Sequence, residues 1–114
     1  MAQILLNESD PIRRRMLRAR LERSGHIVWL LSGLEEITNI LGQAAIDIMI
    51  VDMDEQSLDD LQEQFCDLKG VKLVLQANNC DLQFDFRSWI ADDIFCKGEH
   101  GENMMLAIKK VLHN

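Results

Sequence analysis

The chain has little of what several protein classes require. Its longest uninterrupted apolar runs, residues 27–31 and 104–108, are five residues each, against the ~20 that a membrane-spanning helix needs. A bilayer span and a membrane partner are therefore not expected. Residues 1–10 have no basic start before an apolar run, and they carry Glu8 and Asp10. They do not read as a secretory signal. The three cysteines, Cys66, Cys80 and Cys96, are odd in number and form no CxxC pair. A disulfide scaffold and a zinc site are both unexpected, and reduced thiols in a cytoplasmic protein are the expectation. His26, His100 and His113 lack metal-ligand spacing and read as surface or turn residues. Basic residues are also scarce. Twelve Lys and Arg against 19 acids give a net charge of −7. That argues against nucleic acid as a direct partner, because phosphate binding needs a basic surface. There is one local exception: Arg13, Arg14, Arg15, Arg18, Arg20 and Arg23 put six of the twelve bases within eleven residues. The simplest reading of that cluster is a solvated helix face.

What is present is enough for one globular domain over residues 1–114, with 47% hydrophobic and 27% charged residues. Short apolar runs alternate with amphipathic helical patterns, the signature of βα units around a parallel sheet. Residues 3–6 form the first strand. Asp10 followed by Pro11, the only proline, is a side-chain cap followed by a residue that lacks the N–H a first helical turn cannot use. Met16, Leu17 and Leu21 give that helix an apolar stripe, and Gly25 ends it. Residues 27–31 are the second strand, followed by a helix carrying Leu34, Ile37, Ile40 and Leu41 that stops at Gly42. Residues 48–51 are the third strand, with Asp52 at its carboxyl end. Ser57 starts a third helix with Leu58, Leu61, Phe65 and Leu68 inward. Val71 and residues 73–75 belong to the fourth strand, and a short helix is expected within 80–89. Residues 94–96 are the fifth strand, ending at Lys97, and a last helix runs over about 102–112 with Met105, Ile108 and Leu112 on one stripe.

In an open parallel sheet, function sits at the carboxyl ends of the strands. Here those ends carry Glu8, Ser9 and Asp10; Asp52, Met53 and Asp54; Gln76 and Ala77; and Lys97. Acids facing a lysine at one rim suit phosphate chemistry with magnesium. A nucleotide- or flavin-binding loop is disfavoured, because residues 7–12 contain no glycine to let the backbone approach a phosphate.

This ordering resembles the receiver (CheY-like) domain of bacterial two-component response regulators, over nearly the whole chain. The resemblance is carried by Asp10-Pro11, Arg14, Leu17, Leu21-Glu22 and Gly25; by Gly33 and Glu35; by Asp47, four apolar residues and Asp52; and by Ala77 and Lys97. It implies an α/β single domain, a five-stranded parallel sheet of order 2-1-3-4-5 with helices on both faces (flavodoxin-like, doubly wound). It also implies phosphorelay signalling in which Asp52 accepts a phosphoryl group from a histidine kinase or phosphotransfer protein. Lys97 would be the charge clamp, and Glu8, Ser9, Asp52 and the carbonyl of Asp54 would hold Mg2+. Gln76 would stand where the family has a hydroxyl that meets the phosphoryl group. Such a domain is not a metabolic enzyme; at most it phosphorylates and dephosphorylates its own Asp52.

The departures are specific. Ser9 is neutral where the family places a carboxylate on the metal, so a weakened magnesium site is expected. Gln76 replaces a hydroxyl, Ile94 replaces an aromatic, and Gly98 replaces a proline. These changes sustain an alternative, a pseudo-receiver working as a phosphorylation-independent protein-interaction module. An output domain or effector protein is a further expected partner. Lys109 and Lys110 on the last helix and Asp92 and Asp93 before the fifth strand suggest a self-complementary face and a weak homodimer.

Overall fold

The computed structural model describes residues 1–55, 70–78, 91–98 and 100–113. The helices expected from Ser57 and within 80–89 lie outside the described residues. Five strands form one sheet: β1 (Gln3–Asn7), β2 (Ile27–Leu31), β3 (Ile48–Asp52), β4 (Lys72–Ala77) and β5 (Asp93–Cys96). The spatial order is β2-β1-β3-β4-β5, and every neighbouring pair is parallel. This is the α/β architecture expected from the alternation of apolar runs.

Strands buried on both faces have near-continuous apolar sequences, because parallel sheets are covered on each side. Successive side chains point to opposite faces, so each strand feeds two cores. Ile4, Leu6, Ile48, Ile50, Val74 and Phe95 belong to one core, which is covered by α1 (Pro11–Arg23) through Leu17 and Leu21 and by the last described helix (Glu102–Leu112) through Met104 and Ile108. Leu5, Met49, Val51, Leu73 and Leu75 feed the other, with Ile37 and Ile40 of α2 (Ile37–Leu41). Helices on both faces make the sheet doubly wound. The helix Glu102–Leu112 is α3 below.

The first helix begins as its sequence dictates. The Asp10 carboxylate accepts from the Ile12 N–H at 2.9 Å and the Arg13 N–H at 3.4 Å, with Pro11 in the first turn. Gly25, at φ 90°, lets the chain leave the helix. The second helix is less regular than its spacing implies. Residues Leu34–Glu36 are a 3-10 turn, and α2 follows as a five-residue α-helix. Glu36 makes no side-chain cap bond there. The first turn is held instead by the tighter bond from the Glu36 N–H to the Gly33 carbonyl at 3.1 Å.

One expectation needs correcting. Cys96 is disulfide-bonded, not a reduced thiol; the other two cysteines, Cys66 and Cys80, lie outside the described residues. Sequence spacing missed this because bridges are fixed by three-dimensional proximity. Two of the four charges that suggested a homodimer also have a neighbour within the chain, with Lys110 Nζ 3.7 Å from Asp93 Oδ1, and Asp92 Oδ1 lies 4.0 Å from Lys72 Nζ. Among the described residues, no helix is long and apolar enough to cross a membrane.

His26 sits in the turn between α1 and β2, where its Nδ1 accepts the Ala2 N–H at 3.1 Å. Partial burial, and then the positive N-terminus, push its pKa below the ordinary value. That bond needs an unprotonated Nδ1. The sign follows: the folded state disfavours the proton, so the contribution is complete above the unfolded pKa of about 6.5 and is lost as pH falls below it toward the lower folded pKa. Urea midpoints of the wild type should therefore fall between about pH 7 and about pH 5.5, and His26→Gln should flatten that fall.

Candidate functional site at the sheet rim

The carboxyl ends of β1, β3, β4 and β5 converge on one rim, and two charged clusters stand there. The first is centred on Asp52, which is 1% exposed. Its Oδ2 accepts from Lys97 Nζ at 2.5 Å, and its Oδ1 accepts from the Asp54 N–H at 3.1 Å. Asp54 Oδ2 is 3.6 Å from the same Nζ, and it also accepts from the Asn78 N–H at 2.7 Å. Parallel pairing explains the meeting: Asp52 is level with Gln76 on β4, and Ala77 is level with Cys96 on β5. Gln76 is in turn level with Phe95, so Lys97 emerges two strands away and two residues beyond the level of Asp52, and its long stem brings Nζ back to the carboxylate. Burial pulls the Lys97 pKa down. The hydrogen bond to Asp52 and the charges of Asp52, Glu8 and Asp54 outweigh that and hold it above its ordinary value.

The second cluster is centred on Glu8, which is 3% exposed. Its Oε1 accepts from Arg13 Nε at 2.9 Å and from Gln76 Nε2 at 3.3 Å, while Oε2 accepts from the Asp10 N–H at 3.2 Å. The rest of the Arg13 guanidinium donates to the Gly98 carbonyl at 2.8 Å and to Gln76 Oε1 at 3.2 Å. Gln76 Nε2 also donates to the Asn7 carbonyl at 3.3 Å. Arg14 donates to the Glu8 carbonyl at 3.2 Å.

The structure thus brings Asp52, Asp54 and Lys97 together, and Glu8 together with Gln76. Ser9 is exposed and does not join them in a metal-ligand set. Among the described residues, no three of His, Cys, Asp and Glu are placed to hold a metal ion. Magnesium demands near-octahedral oxygen ligands at about 2.0–2.1 Å. The oxygens that would serve, on Glu8 and Asp52, are occupied by a guanidinium, an ammonium, an amide and backbone N–H groups. Among the described residues the buried Asn7 Oδ1 has no hydrogen-bond partner, while its Nδ2 donates to the Leu31 carbonyl of β2 at 3.4 Å. The residues present do not fit magnesium. Of the expected ligands Glu8, Ser9, Asp52 and the Asp54 carbonyl, the two most buried acids, Glu8 and Asp52, each already have a cation of their own.

Arg13 is the residue that sequence reading missed. It belonged to the basic cluster read as a solvated face, whereas its side chain is 14% exposed. A signal was available. Asp10 is the N-cap and Pro11 the first helical residue, so Arg13 is the third, from which side chains reach back toward the cap. A cation there also opposes the helix dipole, so its presence calls for a nearby acid.

The same backbone is found in proteins of known class. No family model matches the chain, and no curated protein sequence does. Solved structures match over almost its whole length. The response regulator TrrA from Thermotoga maritima, in complex with Mg2+ and BeF, superposes with a TM-score of 0.82 at 23% identity, over 97% of this chain and 99% of that one. A chain in the structure of the histidine kinase ThkA with the response regulator TrrA gives 0.82 at 25% identity, over 98% and 99%. NtrX from Brucella abortus, in complex with ADP, gives 0.82 at 17% identity, over 98% of this chain and 26% of that one. The chain has the receiver-domain fold. Within that fold Asp52 and Lys97 stand at the same rim, 2.5 Å apart, whereas Glu8 is engaged by a guanidinium. The receiver fold is thus kept while the rim's charges are paired internally.

Proposed function

We propose that this receiver domain acts in signal transduction as a protein-interaction module whose rim is set by internal ion pairs rather than by phosphorylation. The observation that carries this reading is the Arg13 clamp on Glu8, beside a Lys97–Asp52 pair that both readings share. Lys97 lies 2.5 Å from Asp52 and Arg13 lies 2.9 Å from Glu8, and both carboxylates are almost fully buried. Transfer of a phosphoryl group to a carboxylate needs in-line access to an oxygen and a cation that bridges the reacting oxygens. Here both Asp52 oxygens are hydrogen-bonded, and among the described residues no three of His, Cys, Asp and Glu are placed beside them to hold a metal. In this reading the domain carries out no turnover. Its partners are a histidine kinase, a phosphotransfer protein or an effector, in the cytoplasm. The fold it shares with a chain of the ThkA–TrrA structure supports a partner of that class.

The phosphoacceptor reading, with Mg2+ as cofactor, is favoured by one observation: Asp52 and Lys97 sit within reach of a single phosphate. The two readings separate by intact mass after incubation with magnesium and a small-molecule phosphodonor, with Asp52→Asn as control. The expected result is an unchanged mass. A gain of one phosphoryl group on the wild type, absent from Asp52→Asn, would overturn the proposal in favour of the phosphoacceptor.

A further inference from the structure

We infer that Arg13 is a resident counter-ion that takes the charge-balancing place of a divalent metal at this rim and makes the domain insensitive to magnesium. The inference deepens the reading of the rim as an internally paired site. The guanidinium uses its fork on three separate elements: Glu8 after β1, Gln76 on β4 and the Gly98 carbonyl after β5. Gln76 completes the arrangement. Its carbonyl oxygen accepts from Arg13 while its amide donates to Glu8 Oε1. Arg13, Glu8 and Gln76 therefore form a closed ring of hydrogen bonds, with Gln76 0% exposed. A serine or threonine at 76 is too short to span both partners. Gln76 and Arg13 are thus two halves of one device.

Charge decides what the device does. Among the described residues, Glu8, Asp52 and Asp54 are three acids paired at the rim with two cations, Arg13 and Lys97. Each of the two buried carboxylates thus already has a cation against it, and a divalent ion would have to displace that cation as well as shed its own water. Glu8 could serve a metal only by releasing the guanidinium.

The test is calorimetric titration of the full chain with magnesium and with manganese, for wild type, Arg13→Gln and Arg13→Lys. Arg13→Gln should bind the metal about tenfold more tightly than wild type, about 1.4 kcal/mol. Arg13→Lys keeps the charge and should stay as weak as wild type. Equal affinity of wild type and Arg13→Gln would overturn the proposal, and so would equal tightening by Arg13→Lys. A second measurement needs no variant. The Arg13 Nε–H resonance of the wild type should not shift under added magnesium, and a saturable shift overturns the inference. The phosphodonor experiment reads Asp52 alone, so either of its outcomes leaves these titrations interpretable.

Discussion

Replacing Lys97 by methionine should destabilise the domain by about 3 kcal/mol, read as a fall in the urea midpoint at unchanged slope. Asp52 is 1% exposed and its Oδ2 accepts from the Lys97 ammonium. Removing one partner of a buried pair leaves the other charge uncompensated, which costs about 3–5 kcal/mol. The lower end applies because the Asp54 N–H still donates to Oδ1. The double variant Asp52→Asn, Lys97→Met removes both charges and should recover more than half of the loss. If it recovered nothing, the cost would lie in packing of the lysine stem rather than in the stranded carboxylate. The pH dependence follows from the raised Lys97 pKa, in which the Asp52, Glu8 and Asp54 carboxylates outweigh burial. The pair's contribution is fully present below the unfolded lysine pKa of about 10.4, and it is lost as pH rises through the higher folded value.

Leu17→Ala should cost about 3 kcal/mol, within the range measured for buried leucines that leave a cavity. Leu17 is 0% exposed in the core between α1, α3 and the sheet. It also fixes how α3 starts. Gly101 caps that helix at φ 82°, and a Cβ there would stand 3.3 Å from Leu17 Cδ2. The vacated volume cannot be filled by the rigid strands β1 and β3, so little of the cavity should collapse. The effect reaches the rim, because α1 carries Arg13. Loosening this helix should therefore also weaken protection of the Arg13 Nε–H from solvent exchange. A loss under about 1 kcal/mol would show that α3 can settle into the space.

Much of the molecule is legible from residue order because its signals are local. Asp10-Pro11 fixes a helix start through bonds within three residues, and Gly25 ends that helix with a backbone angle that other residues avoid. The apolar runs that become β1 to β5 declare buried strands by composition alone, and a parallel sheet needs them continuous. Asp52 and Lys97 were visible as site residues for a related reason: each directly follows such a run, and strand ends in this architecture share one rim. The second helix was legible in place but not in kind, since the absence of a capping side chain at Glu36 shows only when the turn is built.

The sequence by itself determined the order of elements, the two-sided burial of the sheet and the identity of the acid and lysine at its rim, because periodicity and capping act within a few residues of the chain. The tertiary structure alone decided who pairs with whom. Arg13 and Gly98 are 85 residues apart, and Gln76 and Glu8 are 68 apart. Such contacts depend on strand order and register, which carry no local signal. The same reason turned Lys110 and Asp93 into an internal pair. It also turned one arginine of an apparently solvated cluster into the cation that occupies Glu8, since a charge's partner is set by distance in space and its strength by burial.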